Sequence, residues 1–366
     1  MFRFLLSAYC LVVVVRGNQY DPHVQSGSPW FEGWYSRISE TTTGDSIAIV
    51  TGYFPGQDNK LADAGAYTAV VVDRGMGKSI VVKETNPKAS EITVTAAGKK
   101  VSKNPDFPTP PNFVYRVGAK DEFYIVQEGE HQHVHASYDQ GGFVLDANFS
   151  RPQPWGEGGE GPEGWVGHLP ILGLHWFVYS LGSRASYRME INGEIITGTG
   201  LAHQEKNWGK TFPKSWLWGE AASGNTKIAL AGGPVPLGPI TVPDAFLIGY
   251  RSDVLEWNFH PNDPALYFPT IDACNGIFRV EAKSARRRLL ITFRVEGTTR
   301  TNREGFFNVG GPTGTGFLVD SVESYRANVE ILAYTGFNGD KLVDAKNLTM
   351  GAIEFGGDFR CDEEEE

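Results

Sequence analysis

Runs of Val, Ile, Thr and aromatic residues, each broken after a few positions by Gly or Pro, recur along this chain, and no segment sustains a helical period. That punctuation excludes a helical bundle, a coiled coil and a doubly wound α/β fold. It predicts an all-β protein. The 44 glycines and 21 prolines among 366 residues supply the turns, while 41% hydrophobic and 21% charged residues exclude disorder. At roughly 150 residues per domain the length suits two domains. A net charge of −10 disfavours nucleic acid and anionic membrane as partners.

Strands are expected over residues 46–54, 66–73, 79–84, 91–96, 112–118, 122–128, 131–138 and 142–149, several alternating polar and apolar side chains. Residues 186–191 and 194–199 flank Asn192-Gly193, a strong hairpin signal because both turn positions favour positive φ. Later strands are expected over 245–253, 276–284, 287–297, 316–323 and 326–334. The Gly/Pro-rich stretch 151–164 reads as a surface loop that covers something, and 232–239 as a connection between strands or domains. The expected architecture is two antiparallel β-barrel or sandwich domains, 18–215 and 216–361, with a small-ligand pocket in a barrel mouth or between them. Exposed strands on two such domains are compatible with a homodimer.

The two ends bear on compartment. Residues 1–17 read as a signal peptide: Arg3 precedes the apolar stretch 4–15, and Val15-Arg16-Gly17 offers a cleavage site. Twelve apolar residues fall short of the ~20 that span a bilayer, so no membrane span is expected once the signal is removed. Cleavage would also remove Cys10 and leave Cys274 and Cys361, an even pair expected to form a disulfide in an oxidising compartment. The sequons beginning at Asn148 and Asn347 add N-glycosylation and a secretory route to that expectation. The five carboxylates 362–366 read as a solvated tail.

A nucleophile elbow, a phosphate loop, a zinc-protease helix and a dinucleotide fingerprint placed after a strand do not occur. His131, His133 and His135 would share one face of a strand, as metal ligands, cavity lining or ordinary surface residues. Two denser blocks stand out. Trp30-Phe31-Glu32-Gly33-Trp34-Tyr35 sets a carboxylate among aromatic rings. His203-Gln204-Glu205-Lys206-Asn207-Trp208-Gly209, followed by Phe212-Pro213 and Trp216-Leu217-Trp218, mixes a base, an acid, an amide and indoles. Interdomain packing, with Glu205 and Lys206 a buried structural pair, and an apolar pocket with a few polar groups are both open readings.

These two blocks, with Gly164-Trp165, Leu169-Pro170, His175-Trp176 and the Asn192-Gly193 hairpin between them, resemble the paired signatures of the tocopherol cyclase-like proteins, most clearly over 28–220. The resemblance implies lipocalin-like β domains, a fold that also serves carotenoid hydratases and fungal cyclases. The signal, the sequons, His203 ahead of the second block and Gly219-Glu220 after Trp218 depart from the plastid enzymes. The combination resembles instead the secreted fungal hetero-Diels–Alderases of tropolone–sesquiterpene biosynthesis.

That resemblance implies a cofactor-free pericyclase joining a quinone methide and a terpenoid alkene by [4+2] cycloaddition, its rate supplied by positioning, polarising donors and exclusion of water. Catalytic candidates are Glu32, Tyr35, His133, His175, His203 (assisting proton loss) and Asn207. Trp30, Trp34, Tyr53, Trp176, Trp208, Trp216 and Trp218 are candidates for substrate binding. A second reading is acid-catalysed cyclisation or hydration of a prenyl alkene, for which Glu32 would be the protonated acid in its aromatic nest. A third is a secreted lipocalin-like carrier without catalysis.

Overall fold

The computed structural model describes residues 19–23, 30–54, 65–75, 78–96, 99–100, 112–118, 122–156, 159–168, 172–210, 212–237, 240–261, 263–313 and 316–361. The expected signal 1–17, Cys10 and the tail 362–366 lie outside them. The protein is nearly all β, built on two antiparallel sheets. The first takes β1 (Phe31–Glu40), β2 (Asp45–Phe54), β3 (Gly65–Asp73), β4 (Val81–Thr85), β5 (Ile92–Ala96), β6 (Lys99–Lys100), β7 (Asn112–Val117), β8 (Phe123–Glu128), β9 (His131–Tyr138), β10 (Phe143–Ser150), β11 (Leu174–Ile191) and β12 (Glu194–Gly209). The second takes β13 (Ser215–Ser223), β14 (Thr226–Leu237), β15 (Ile240–Arg251), β16 (Glu256–Phe259), β17 (Leu266–Asp272), β18 (Ile277–Lys283), β19 (Arg287–Val295), β20 (Phe306–Thr313), β21 (Gly316–Thr335) and β22 (Lys341–Gly357). No helix among the described residues is long and apolar enough to cross a membrane.

Each sheet curls around its own apolar core, lipocalin fashion. In the first, Tyr115 of β7 donates to the Gly52 carbonyl of β2 at 3.3 Å and Tyr138 of β9 to Thr68 of β3 at 3.1 Å, so distant strands meet across the interior. The segment Gln19–His23 fills the remaining space. Tyr20 is fully buried and stacked on Tyr179 at 4.3 Å, and its carbonyl accepts from Trp34 Nε1 at 3.1 Å.

Several strands run longer than the sequence suggested, for local reasons. β11 begins at Leu174, well before the expected 186, and register shifts between Val178 and Ser183 break the alternation that would have marked its first half. β21 is one strand where two were expected, with irregular register between Ser324 and Val329. The stretch around Gly232, expected as a connection, is strand: β14 runs to Leu237. Pro234 and Pro236 are tolerated because, beyond Gly232, β14 pairs only with β15 and no ladder bond from the prolines is required. Cys274 and Cys361 form the expected disulfide, closing 87 residues of chain.

A third cluster joins the sheets: Trp176 and Val178 of β11 pack with Trp216 and Trp218 of β13 and Tyr325 of β21. The expected surface loop 151–164 belongs to this seam. Trp155 is fully buried, edge-on to Trp176 at 5.6 Å, and its carbonyl accepts from Arg251 of the second sheet. Ion pairs cross the seam, among them Arg37 with Glu220 and Arg326 with Asp73, the latter doubly bonded at 2.8 and 2.9 Å.

Candidate functional site

Strands β1 and β12 lie side by side with Glu32 opposite Trp208, Trp34 opposite Lys206, Tyr35 opposite Glu205 and Arg37 opposite His203. Successive side chains of a strand point to opposite faces. The two sequence blocks are thereby each split in half. Glu32, Trp34, Lys206 and Trp208 face the interior of the first sheet, while Tyr35, Arg37, His203 and Glu205 face the seam. Glu205 and Lys206, expected as a structural pair, part to opposite sides and serve different clusters.

The inner cluster centres on Glu32. Both its oxygens accept from the His23 amide, at 2.9 and 3.1 Å, and the Tyr53 hydroxyl donates to it at 2.6 Å. Lys206 Nζ stands 2.5 Å away, with both side chains fully buried. The ammonium also donates to the Asp21 carbonyl and lies over the rings of Trp34 and Trp208 at 5.0 and 4.9 Å. Burial alone pushes the Glu32 carboxyl up, yet Lys206 and His23 together outweigh it and hold it at about 2. Glu32 is therefore an ionised anchor, not the protonated acid expected of an aromatic nest. Trp208 is sandwiched between His23 at 4.2 Å and His175 at 5.0 Å, and Glu163 fixes His175 at 2.9 Å.

On the other face, a cavity of about 650 Å³ lies between the sheets, a volume typical of small-molecule sites. Its walls are largely apolar, with Trp176, Phe212, Trp216 and Trp218 contributing rings; six acidic residues line it, Glu163, Asp244 and Asp263 besides Glu205 on β12, Glu323 on β21 and Glu354 on β22. Glu323 on β21 stands directly opposite Glu354 on β22. Trp216 Nε1 donates to Glu354 at 2.8 Å, and Trp218 Nε1 donates to Glu205 at 3.0 Å. His203 Nε2 lies 2.7 Å from the same Glu205 oxygen. The Tyr35 hydroxyl donates to that of Tyr325 at 3.3 Å, and Tyr35 meets Trp218 edge-on.

Electrostatics divide the two clusters. Burial, then the neighbouring Glu354, pushes the Glu323 carboxyl well above the usual carboxylate range. Burial likewise raises Glu354, to about 7, against the pull of the Trp216 N–H. Arg37, the cation that draws Glu323 down, is already paired with Glu220 and bonded to Ser46 at 2.7 Å. One oxygen of Glu323 is enclosed with no hydrogen-bond partner among the described residues, a position that suits a neutral carboxyl and not an anion. Protonated carboxyl groups beside aromatic rings in a largely apolar cavity can protonate a carbon–carbon double bond and stabilise the cation that results.

The cavity thus brings together Tyr35, Asn207, Trp176, Trp216 and Trp218 of the expected residues, with His203 behind Glu205, while the Trp34 ring packs in the inner cluster. Glu32, Tyr53, Trp208 and His175 belong to the inner cluster, and Trp30 to the first core. His133 is elsewhere: it sits on the outer face of β9, 3.4 Å from Asp146, which also holds His135 at 2.9 Å. Asn148 and Asn347 are exposed. Sequence reasoning missed His23, Glu163, Tyr325, Glu323 and Glu354. For the last two the available signal was an acid at an alternating position in an apolar strand, which reads as solvent-facing until a second sheet covers it.

A family model described as tocopherol cyclase-like matches residues 28–357, which takes in the second sheet as well as both sequence blocks. The chain is 26% identical over 207 residues to the chloroplastic tocopherol cyclase of Zea mays, covering 53% of this chain and 41% of that protein. It is 31% identical over 106 residues to a chloroplastic protein of Oryza sativa subsp. japonica named as a probable tocopherol cyclase, covering 27% and 22% respectively. The matches therefore span less than half the length of these relatives. Among solved structures, a candidate AttH from Nitrosomonas europaea superposes with a TM-score of 0.52 at 14% identity, over 94% of this chain and 100% of that one. Kievitone hydratase from Nectria haematococca gives 0.46 at 12% identity, over 94% and 96%. With both motif blocks on one strand pair at a seam cavity, and a family match running from β1 to the end of β22, the chain belongs to the tocopherol cyclase-like family.

Proposed function

We propose that this protein is an acid-promoted cyclase or hydratase that protonates an alkene of an apolar substrate held between its two sheets. The observation that carries this reading is the Glu323–Glu354 pair, two cross-strand carboxyl groups at an aromatic cavity whose burial and mutual repulsion favour their protonated forms. One of them delivers its proton to the double bond, and an oxygen nucleophile, the substrate's own hydroxyl or a water, closes on the resulting cation. Trp216 and Trp218 offer ring faces to that cation, and the apolar walls limit its premature quenching. The names of the curated relatives support the same class of chemistry.

The test is turnover of a geranylated hydroquinone in D2O. The expected result is a cyclised or hydrated product carrying deuterium in a new C–H bond, lost in Glu323→Gln and Glu354→Gln. A second reading is hetero-Diels–Alder addition of a tropolone quinone methide to a humulene-type sesquiterpene. A cavity of about 650 Å³, shared between two sheets, has room for two partners and favours it. That reaction adds no solvent proton to the alkene carbons, so a single-enantiomer dihydropyran free of deuterium would replace the protonation reading. Tight ligand binding with neither product would make the protein a carrier. The Cys274–Cys361 disulfide and the exposed sequon asparagines support an oxidising, secretory route.

A further inference from the structure

Protonating an alkene settles only half of a proton balance. When an O–H nucleophile attacks the cation, its own proton must leave, and the acid pair must be recharged for the next turnover. We infer that Glu205 is the group that takes this proton from the nucleophile, held in place for the task by His203 and Trp218. The inference rests on the acid-promoted reading above.

Glu205 lines the same cavity as Glu323 and Glu354 and differs from both in what surrounds it. Trp218 Nε1 donates to its Oε2 at 3.0 Å, and His203 Nε2 lies 2.7 Å from the same atom. A carboxyl oxygen met from two sides by ring nitrogens is built as an acceptor. Glu354 has one such contact, from Trp216, and one oxygen of Glu323 has none among the described residues. Trp218 also stands opposite Glu354 across β13 and β22, which sets the acceptor and the acid pair at one end of the same cavity. Glu205 is among the groups that raise both Glu323 and Glu354. His203 is almost fully buried and does not line the cavity, so it acts through Glu205 as a positioning residue.

The step balances. The acid O–H bond breaks and a C–H bond forms, consuming the π pair. The nucleophile's oxygen then forms a C–O bond with the cation while its O–H bond breaks, and that proton passes to Glu205. Transfer from Glu205 back to the acid pair restores the starting state without any outside oxidant or reductant.

The experiment measures product partition for the geranylated hydroquinone in D2O with the full chain, comparing wild type, Glu205→Gln and His203→Gln. Retained thermal melting and Trp fluorescence serve as folding controls. In Glu205→Gln the cation still forms but its oxygen attack is hindered. At least a tenfold fall in oxygen-closed product is expected, together with recovered, double-bond-shifted alkene that carries deuterium. His203→Gln is expected to shift the acidic limb of the rate–pH profile with a smaller loss. Unchanged partition in Glu205→Gln would overturn the inference, as would loss of deuterium uptake together with product. Absence of deuterium uptake in the wild-type protein would instead overturn the acid-promoted reading itself.

Discussion

Glu323 and Glu354 face each other as direct cross-strand partners on β21 and β22, at a cavity wall with Trp216 bonded to one of them. Like charges directly opposite are destabilising, and here burial removes the water that would screen them. The pair persists by keeping protons. A carboxyl that still carries its proton near neutral pH can act as an acid toward an alkene, which a carboxylate cannot, and packing alone gives no reason to place two acids there.

Protonation of Glu354 should be visible in stability. Its folded pKa of about 7 lies above the ordinary value of 4.5, so its stabilising contribution is complete below about pH 4.5 and is lost as pH rises through 7. The melting temperature of wild type is expected to fall between pH 5 and 8 more steeply than that of Glu354→Gln. Equal slopes in a calorimetric pH series would show that the pair is not holding its protons.

Trp216→Phe removes the N–H that draws the Glu354 carboxyl down. Its acid form should persist to higher pH, moving the alkaline limb of turnover upward by up to about one pH unit. Rate–pH profiles of the two proteins decide this, and a limb that stays in place would separate Trp216 from the acid.

Glu32 should behave in the opposite sense. Its folded pKa of about 2 lies below 4.5, so its contribution is present above about pH 4.5 and is lost as pH falls toward 2. The shift corresponds to about 3 kcal/mol. Glu32→Gln leaves Lys206 buried without its carboxylate, a change expected to cost about 3–5 kcal/mol at pH 7 in urea denaturation. The double variant Glu32→Gln with Lys206→Met is expected to recover part of that loss.

Gly249 has no room for a side chain. A Cβ there would come within 2.9 Å of three ring atoms of Trp155, the residue through which the 151–164 loop plugs the seam. Gly249→Ala is expected to destabilise by about 1–3 kcal/mol. Adding Trp155→Phe should relieve the clash, and thermal melting of the single and double variants tests that coupling.

The Cys274–Cys361 bond closes 87 residues of chain. In the chain-entropy account, Cys361→Ser should cost about 4–5 kcal/mol. Intact mass before and after reduction, with a 2 Da difference, and denaturation of both forms provide the measurement.

The β class, most strand positions and the disulfide were legible in the sequence, because alternation, Gly/Pro punctuation and an even cysteine pair are local or countable properties. The 186–199 hairpin followed from Asn192-Gly193, and Asn192 does adopt positive φ. The importance of the two motif blocks was legible too, from the density of Trp, Glu, Lys and His in them. Their division of labour was not. Period-two alternation states that Glu205 and Lys206 point apart, but not that one side is a barrel interior plugged by Tyr20 and His23 and the other a cavity. Glu323, Tyr325 and Glu354 lie more than a hundred residues beyond the second block, on strand faces that in isolation belong to solvent. Only the docking of the second sheet, through Trp155, Trp176 and the Arg37–Glu220 pair, buries them. Sequence fixes which face of a strand a side chain takes, whereas the dielectric that face experiences, and so whether a glutamate is an anchor or an acid, is a property of what packs against it.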